Sequence, residues 1–116
     1  MQRRHRLSRS RDFDAVYRNG RSVSTRYLVL YRFDRQGGDD DDVRLGIAVP
    51  KKIGSAVARN RIKRRLREGW RELLPDVPSG ADYVLLVRGP LAEACESRGP
   101  EWLRERLAEV LGKAQA

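Results

Sequence analysis

The residues with the most evident chemistry lie between Lys51 and Arg71, in the stretch KKIGSAVARNRIKRRLREGWR. Ala58, Ile62, Leu66 and Trp70 recur every four residues, with Leu73 next, which is the spacing of an apolar stripe along one side of a helix. Positions 59, 60, 61, 63, 64, 65, 67 and 71 then fall on its flanks and far side, and seven of these eight are Arg or Lys, the eighth being Asn60. Like charges three and four residues apart repel one another, and the one acid nearby to relieve them is Glu68. Such a helix loses stability unless its surface meets a polyanion. A phosphate backbone is one, and counterion release strengthens the contact. A face that only kept the protein in solution would mix both signs. A membrane-surface helix would need a broad free apolar face, whereas this stripe is narrow and needed for a core. Arginine outnumbers lysine 21 to 4 in the chain. Its guanidinium binds phosphate through two parallel hydrogen bonds and stacks on bases, so structured RNA is the favoured partner.

Groups that could carry out a reaction are scarce. His5 is the one histidine and has no second imidazole with which to form an acid–base pair. Cys95 is the one cysteine, so neither an internal disulfide nor a zinc site follows from it, and it reads as a small residue in or near a loop. Asp39 to Asp42 form an acidic run in a loop that could bind a cation weakly but lacks the geometry of a defined site. The expectation is a protein with no catalytic residue and no metal site of its own.

These residues must be positioned by one domain, since 116 residues can bury one modest core. The net charge of +9 is segregated. Residues 1–33 carry +7 and residues 43–71 carry +9, flanking −4 at 34–42, and residues 72–116 carry −3. That pattern points to a basic face. There is no run of 18 apolar residues to span a membrane, and no apolar segment follows the basic N-terminus, so a cytoplasmic protein is expected.

Residues 1–9 are expected to form a basic flexible arm and residues 10–116 the single folded domain. Ser10 can cap a helix over about 11–19, with Phe13, Val16 and Tyr17 on one face and Gly20 as its stop. A doubtful strand over 21–25 precedes a clear one from Tyr27 to Phe33, in which Tyr27, Val29, Tyr31 and Phe33 share one side. Gly37-Gly38 and the aspartates mark a loop, and Val43 to Val49 forms the next strand, expected to pair with its predecessor as an antiparallel hairpin. Ser55 is the expected N-cap of the basic helix, which Pro75 and Pro78 end. Tyr83 to Val87 reads as a strand buried on both faces, broken by Gly89-Pro90. Pro100 opens a last helix with Leu103, Leu107, Val110 and Leu111 as its core stripe. The order is α-β-β-β-α-β-α, an α+β sandwich in one domain.

The residues around the basic helix also resemble a known family. Lys51-Lys52-Ile53-Gly54, Ala56-Val57, Arg59-Asn60-Arg61-Ile62-Lys63-Arg64 and Arg67-Glu68 look like the signature of the bacterial ribonuclease P protein subunits. Asp12-Phe13, Val16-Tyr17, Gly20, Tyr27 to Tyr31 and Asp82 to Arg88 are similar to other parts of that pattern, so the resemblance spans about residues 3–88. It implies a ribosomal-protein-like sandwich with a left-handed crossover, against the usual hand. It also implies a subunit of the ribonucleoprotein that removes the 5′ leader of precursor tRNA. The RNA subunit would be the catalyst and would hold the Mg2+ ions, and no obligate protein partner is evident. Lys51, Lys52, Arg59, Asn60, Arg61, Lys63, Arg64 and Arg67 would bind the RNA subunit. A cleft between the first helix and the sheet would hold the leader of precursor tRNA, with Phe13, Tyr17 and Tyr31 stacking on unpaired bases, Val29 beside Tyr31 on the strand, and Arg26, with Arg11 and Arg18, along the phosphates. The departures are Tyr17 where phenylalanine is commoner, Pro50 before the lysines, and the Asp39–Asp42 run, expected at a solvated loop tip.

Three other functions fit parts of the pattern. A general or ribosomal RNA-binding module would share the basic helix but would not need an open aromatic cluster. A stand-alone nuclease would need acid–base groups or a metal cage. A DNA-binding regulator would need a recognition helix less saturated with charge.

Overall fold

The computed structural model describes residues 6–7, 10–35 and 42–115. Helix α1 runs Ser10–Asn19 and ends where the Gly20 N–H donates to the Val16 carbonyl at 2.8 Å. A Cβ at Gly20 would lie 2.5 Å from that oxygen and 2.7 Å from the Arg32 carbonyl oxygen. The stop expected from the sequence is therefore a close approach of three backbone segments that excludes a side chain. Strand β1, Arg21–Ser24, turns through Thr25 into β2, Leu28–Asp34. The Thr25 Oγ1 accepts from the Tyr27 and Leu28 N–H groups and holds that turn.

Strand β3 is Arg44–Ala48 and strand β4 is Ala81–Val87. The sheet order is β1-β2-β4-β3, with β4 antiparallel to β2 and parallel to β3. The expected hairpin between β2 and β3 is thus not formed, because β4 lies between them. Its sequence ADYVLLV is the most apolar of the four strands, and its residues are buried on both faces as expected. A strand of that kind gains most from a central position with a helix layer on either side. Alternation along β2 and β3 defines their faces but not their neighbours.

Helix α2, Ala56–Leu73, is the crossover between the parallel strands β3 and β4. Its N-cap is Ser55, whose side chain accepts from the Ala58 N–H at 3.1 Å. Pro75 lies in a 3-10 turn, Leu74–Asp76, that closes the helix. The strand ends before Gly89-Pro90 as expected, and that pair also starts a short helix, α3, Gly89–Cys95, with Pro90 in its first turn, where a missing N–H does no harm. Cys95 ends α3 next to the turn that follows and is buried. Helix α4 runs Pro100–Gln115 and buries Leu103, Leu107, Val110 and Leu111 as expected. Apart from α3, the α-β-β-β-α-β-α order of an α+β sandwich holds.

One face of the sheet carries the main core, where Leu28, Leu30, Leu45, Ile47 and Leu85 meet Ile62, Leu66 and Trp70 of α2 and the stripe of α4. The other face carries a smaller cluster, Leu7, Val16 and Val84, with Phe13, Tyr31 and Phe33 against it. Tyr27 leaves the side expected for it. It precedes β2 in a bend and packs edge-on against Trp102 of α4, with centroids 5.1 Å apart. Arg6 and Leu7 pair with β3: the Leu7 N–H donates to the Leu45 carbonyl at 3.0 Å, and the Leu7 side chain is buried. The rest of the expected arm, residues 1–5 and 8–9, lies outside the described residues, as do His5 and Asp39 to Asp41. On β4 the buried Asp82 carboxylate accepts from Arg44 at 2.7 and 2.8 Å and from Arg35, and Arg35 also donates to the Asp42 carbonyl. Both ends of the loop after β2 are thereby tied to the central strand.

Gly20→Ala should lower the unfolding free energy by about 1–3 kcal/mol, the usual effect of forcing extra atoms into a filled site. Urea denaturation should show a lower midpoint with an unchanged slope.

Candidate nucleic-acid interface

The buried stripe of α2 fixes which way its charges point. Ile62, Leu66 and Trp70 are buried against the sheet, Trp70 edge-on to Tyr83 with centroids 5.3 Å apart. At about 100° per residue the opposite side of the helix carries Val57, Asn60, Arg61 and Arg64. All four are exposed and line a shallow depression of about 400 Å³. The nearest carboxylate to Arg61 is Glu96 at 3.8 Å, with both side chains more than half exposed, a pair too loose to neutralise this face. Lys51 and Lys52 are exposed in the 3-10 turn Lys51–Ile53 just before the helix.

Arg71, seven residues after Arg64, is exposed on the same side, whereas Arg59, Lys63, Arg65 and Arg67 do not share that outlook. Lys63 sits on the flank facing α1 and lines a groove there. Arg67, on the same flank, is half-buried, and its pKa is lowered by burial and by Arg6. Arg59 lies beside the core stripe, half-buried, with its Nε enclosed and without a hydrogen-bond partner among the described residues. The Arg59-Asn60-Arg61 triplet is therefore split, because successive helical residues point about 100° apart. Arg65 faces the opposite flank. Its guanidinium donates to the Cys95 and Arg98 carbonyls, the second at 2.9 Å, and lies 3.3 Å from the Cys95 Sγ. It satisfies carbonyls at the end of α3 and is not available to a ligand. The sequence places Arg65 on a flank, three residues after Ile62, but α3 was not foreseen as its neighbour. Burial pushes the Cys95 thiol pKa up, with Arg65 opposing and Glu96 adding to the shift, so this cysteine is a core residue and a poor nucleophile.

The groove of about 420 Å³ lies between α1 and the sheet and is lined by Ser10, Phe13 and Asp14 of α1, by Ile47 to Pro50, by Leu86 and by Lys63. Phe13, Tyr17 and Tyr31 meet beside it. Tyr17 stands edge-on to Tyr31 with centroids 4.8 Å apart, and the Phe13 and Tyr17 rings are 6.4 Å apart. Phe13 and Tyr31 are half-buried, and Tyr17 keeps 38 % of its surface exposed, so the cluster packs together and still presents aromatic area to solvent. Val29 continues the same sheet face, two residues from Tyr31 and paired with Leu86 of the groove wall. Arg26 is exposed just before β2. Of the five residues read from the sequence as one site, Phe13, Tyr17, Val29 and Tyr31 thus fall along one side of the sheet, and Arg26 lies in the bend before β2. Lys63, expected on the RNA-subunit surface, instead lines this groove. Among the described residues no three His, Cys, Asp or Glu side chains converge as a metal-binding set.

A family model described as Ribonuclease P matches residues 1–115. A ribonuclease P protein component of Bacillus cereus is 41% identical over 93 residues, covering 80% of this chain and 79% of that protein. The solved ribonuclease P protein of Thermotoga maritima superimposes with a TM-score of 0.83 at 34% identity, covering 93% of this chain and 96% of the other. That of Staphylococcus aureus superimposes with a TM-score of 0.81 at 32% identity, covering 95% and 94%.

The aromatic cluster has a titration signature. Burial, then Tyr31 and Asp14, raise the Tyr17 pKa above its ordinary 10.0. The neutral phenol is the form favoured by folding, so its contribution to stability is complete below about pH 10 and is lost as pH rises through the raised value. Burial likewise raises Tyr83. Ultraviolet titration of the folded protein should show late-ionising tyrosines, Tyr17 and Tyr83. Tyr17→Phe should remove one of them, and urea should abolish the delay.

Proposed function

Because the chain belongs to the ribonuclease P protein family, we propose that its two surfaces divide the work of tRNA 5′ maturation, one gripping the catalytic RNA and the other the substrate. Membership makes it the protein component of a ribonucleoprotein endoribonuclease and a partner of the ribonuclease P RNA. Lys51, Lys52, Asn60, Arg61 and Arg64 form the exposed basic surface that docks on that RNA. Arginine supplies most of the grip, since its fork matches phosphate oxygens two at a time.

The groove beside α1 receives the unpaired 5′ leader of precursor tRNA. Phe13, Tyr17 and Tyr31 offer ring faces to successive bases without selecting among them, and Arg26 and Lys63 approach the phosphates. The single observation that carries this reading is Lys63. It belongs to the basic helix and also lines the groove with Phe13. RNA docked on α2 is therefore within a helix diameter of the strand held against α1, and Arg59 and Arg67 extend the same flank.

Hydrolysis of the phosphodiester is assigned to the RNA. Mg2+ ions bound to its phosphates would activate the water and stabilise the leaving oxygen. The described residues of the protein supply no set of ligands for such ions. The chain instead holds the leader in place and offsets phosphate repulsion with its net charge of +9.

Addition of the protein to a bacterial ribonuclease P RNA should accelerate leader removal at low magnesium. RNA binding with no acceleration would favour a general RNA-binding module instead. Affinity should fall by about 0.7–0.9 log units per log unit of salt for each phosphate contact. Tyr17→Ala or Phe13→Ala should weaken binding of leader-bearing precursor by about 1–3 kcal/mol and leave mature tRNA binding unchanged. Equal losses on both RNAs would remove the leader from the groove.

A further inference from the structure

Val57 is 69 % exposed, against 38 % for Tyr17, the other large apolar residue exposed among those described. It stands at the second position of α2, directly opposite the core stripe. It also contributes little to the helix. A β-branched residue loses side-chain freedom there, and alanine would serve better. Its surroundings are specific. Asn60, Arg61 and Arg64, three, four and seven residues on, surround it and form the depression of about 400 Å³ with Val57 as the apolar part of its wall.

This combination fits one kind of ligand group. A phosphate would be served by the arginines alone and gains nothing from a valine. A nucleobase has an apolar face and a polar edge. Guanidinium groups stack on such faces, and an amide side chain pairs with such edges. We propose that Val57 is a binding residue for an unpaired nucleotide of the partner RNA, whose base rests on the Val57 methyls between the Arg61 and Arg64 guanidiniums with Asn60 at its edge. The proposal rests on the docking of α2 on the ribonuclease P RNA and assigns that surface a contact that salt does not screen. A protein segment would fit the depression less well, since three of its four lining side chains are polar or cationic and the chain around them carries +9 over residues 43–71.

The test compares two variants in binding to ribonuclease P RNA across a salt series. Val57→Ala should fold at least as stably as the parent, because it improves helix propensity. It should bind about five- to tenfold more weakly at every salt concentration, with the slope of log affinity against log salt unchanged. Arg61→Ala should reduce that slope by about 0.7–0.9. Chemical probing of the RNA should show one unpaired nucleotide protected by the parent and exposed again with Val57→Ala. Affinity within twofold of the parent at all salts, or no nucleotide differing between the two, would overturn the proposal. If the parent protein itself fails to bind the RNA, the docking of α2 falls as well, and the two failures are thereby told apart.

Discussion

The packing of Ile62, Leu66 and Trp70 against the sheet is the interaction on which the rest depends. Helix α2 carries six pairs of positive charges at i,i+3 or i,i+4 spacing, from Arg59–Lys63 to Arg67–Arg71. At about 0.2–0.5 kcal/mol each they oppose the helix by about 1–3 kcal/mol. Three buried side chains at about 1.5–3 kcal/mol apiece outweigh that, even though the buried Trp70 Nε1 has no hydrogen-bond partner among the described residues. The core thus holds together a helix that its own surface charges would weaken. The repulsion left on the outward face is relieved when a polyanion binds.

The sheet separates the basic helix from the aromatic cluster. Odd-numbered residues of β4 join α2 and α4 in the main core, whereas Val84 and Leu86 face α1 and its groove. The groove therefore rests on the same strand that anchors the basic helix. Gly46 on β3 makes room for the arrangement, since a Cβ there would lie 2.6 Å from the Phe13 ring. Phe13 is seated by the absence of a side chain beneath it, and Tyr17 and Tyr31 complete the cluster at the exposed rim.

Carboxylates are placed where they serve the fold. Asp82 binds Arg35 and Arg44, and Glu72 accepts from Arg104 at 2.6 Å between α2 and α4. Arg106 lies over Tyr27 and Trp102 on the other side of the molecule from the groove. Consequently many arginines of this basic chain are structural. The outward face of α2 stays electropositive because its basic residues outnumber Glu68, the acid on that side, and Glu96 is only loosely paired with Arg61.

Periodicity determined a good deal from the chain alone. The stripe of α2, its Ser55 cap, the doubly buried β4 and the stripe of α4 are all local patterns, and local patterns are written in residue spacing. The aromatic side of α1 and of β2 was legible for the same reason. Tertiary structure decided what depends on neighbours distant in sequence: β4 entering between β2 and β3, Tyr27 turning to Trp102, and α3 covering Arg65 and Cys95. The division of the basic helix into an outward face and a groove-side flank was decided there too. Spacing told that Lys63 and Arg64 point in different directions, but only the placement of α1 across the sheet gave one of them an aromatic groove and left the other to solvent. Helical geometry is a property of a few consecutive residues, whereas what each face meets depends on burial summed over the whole chain.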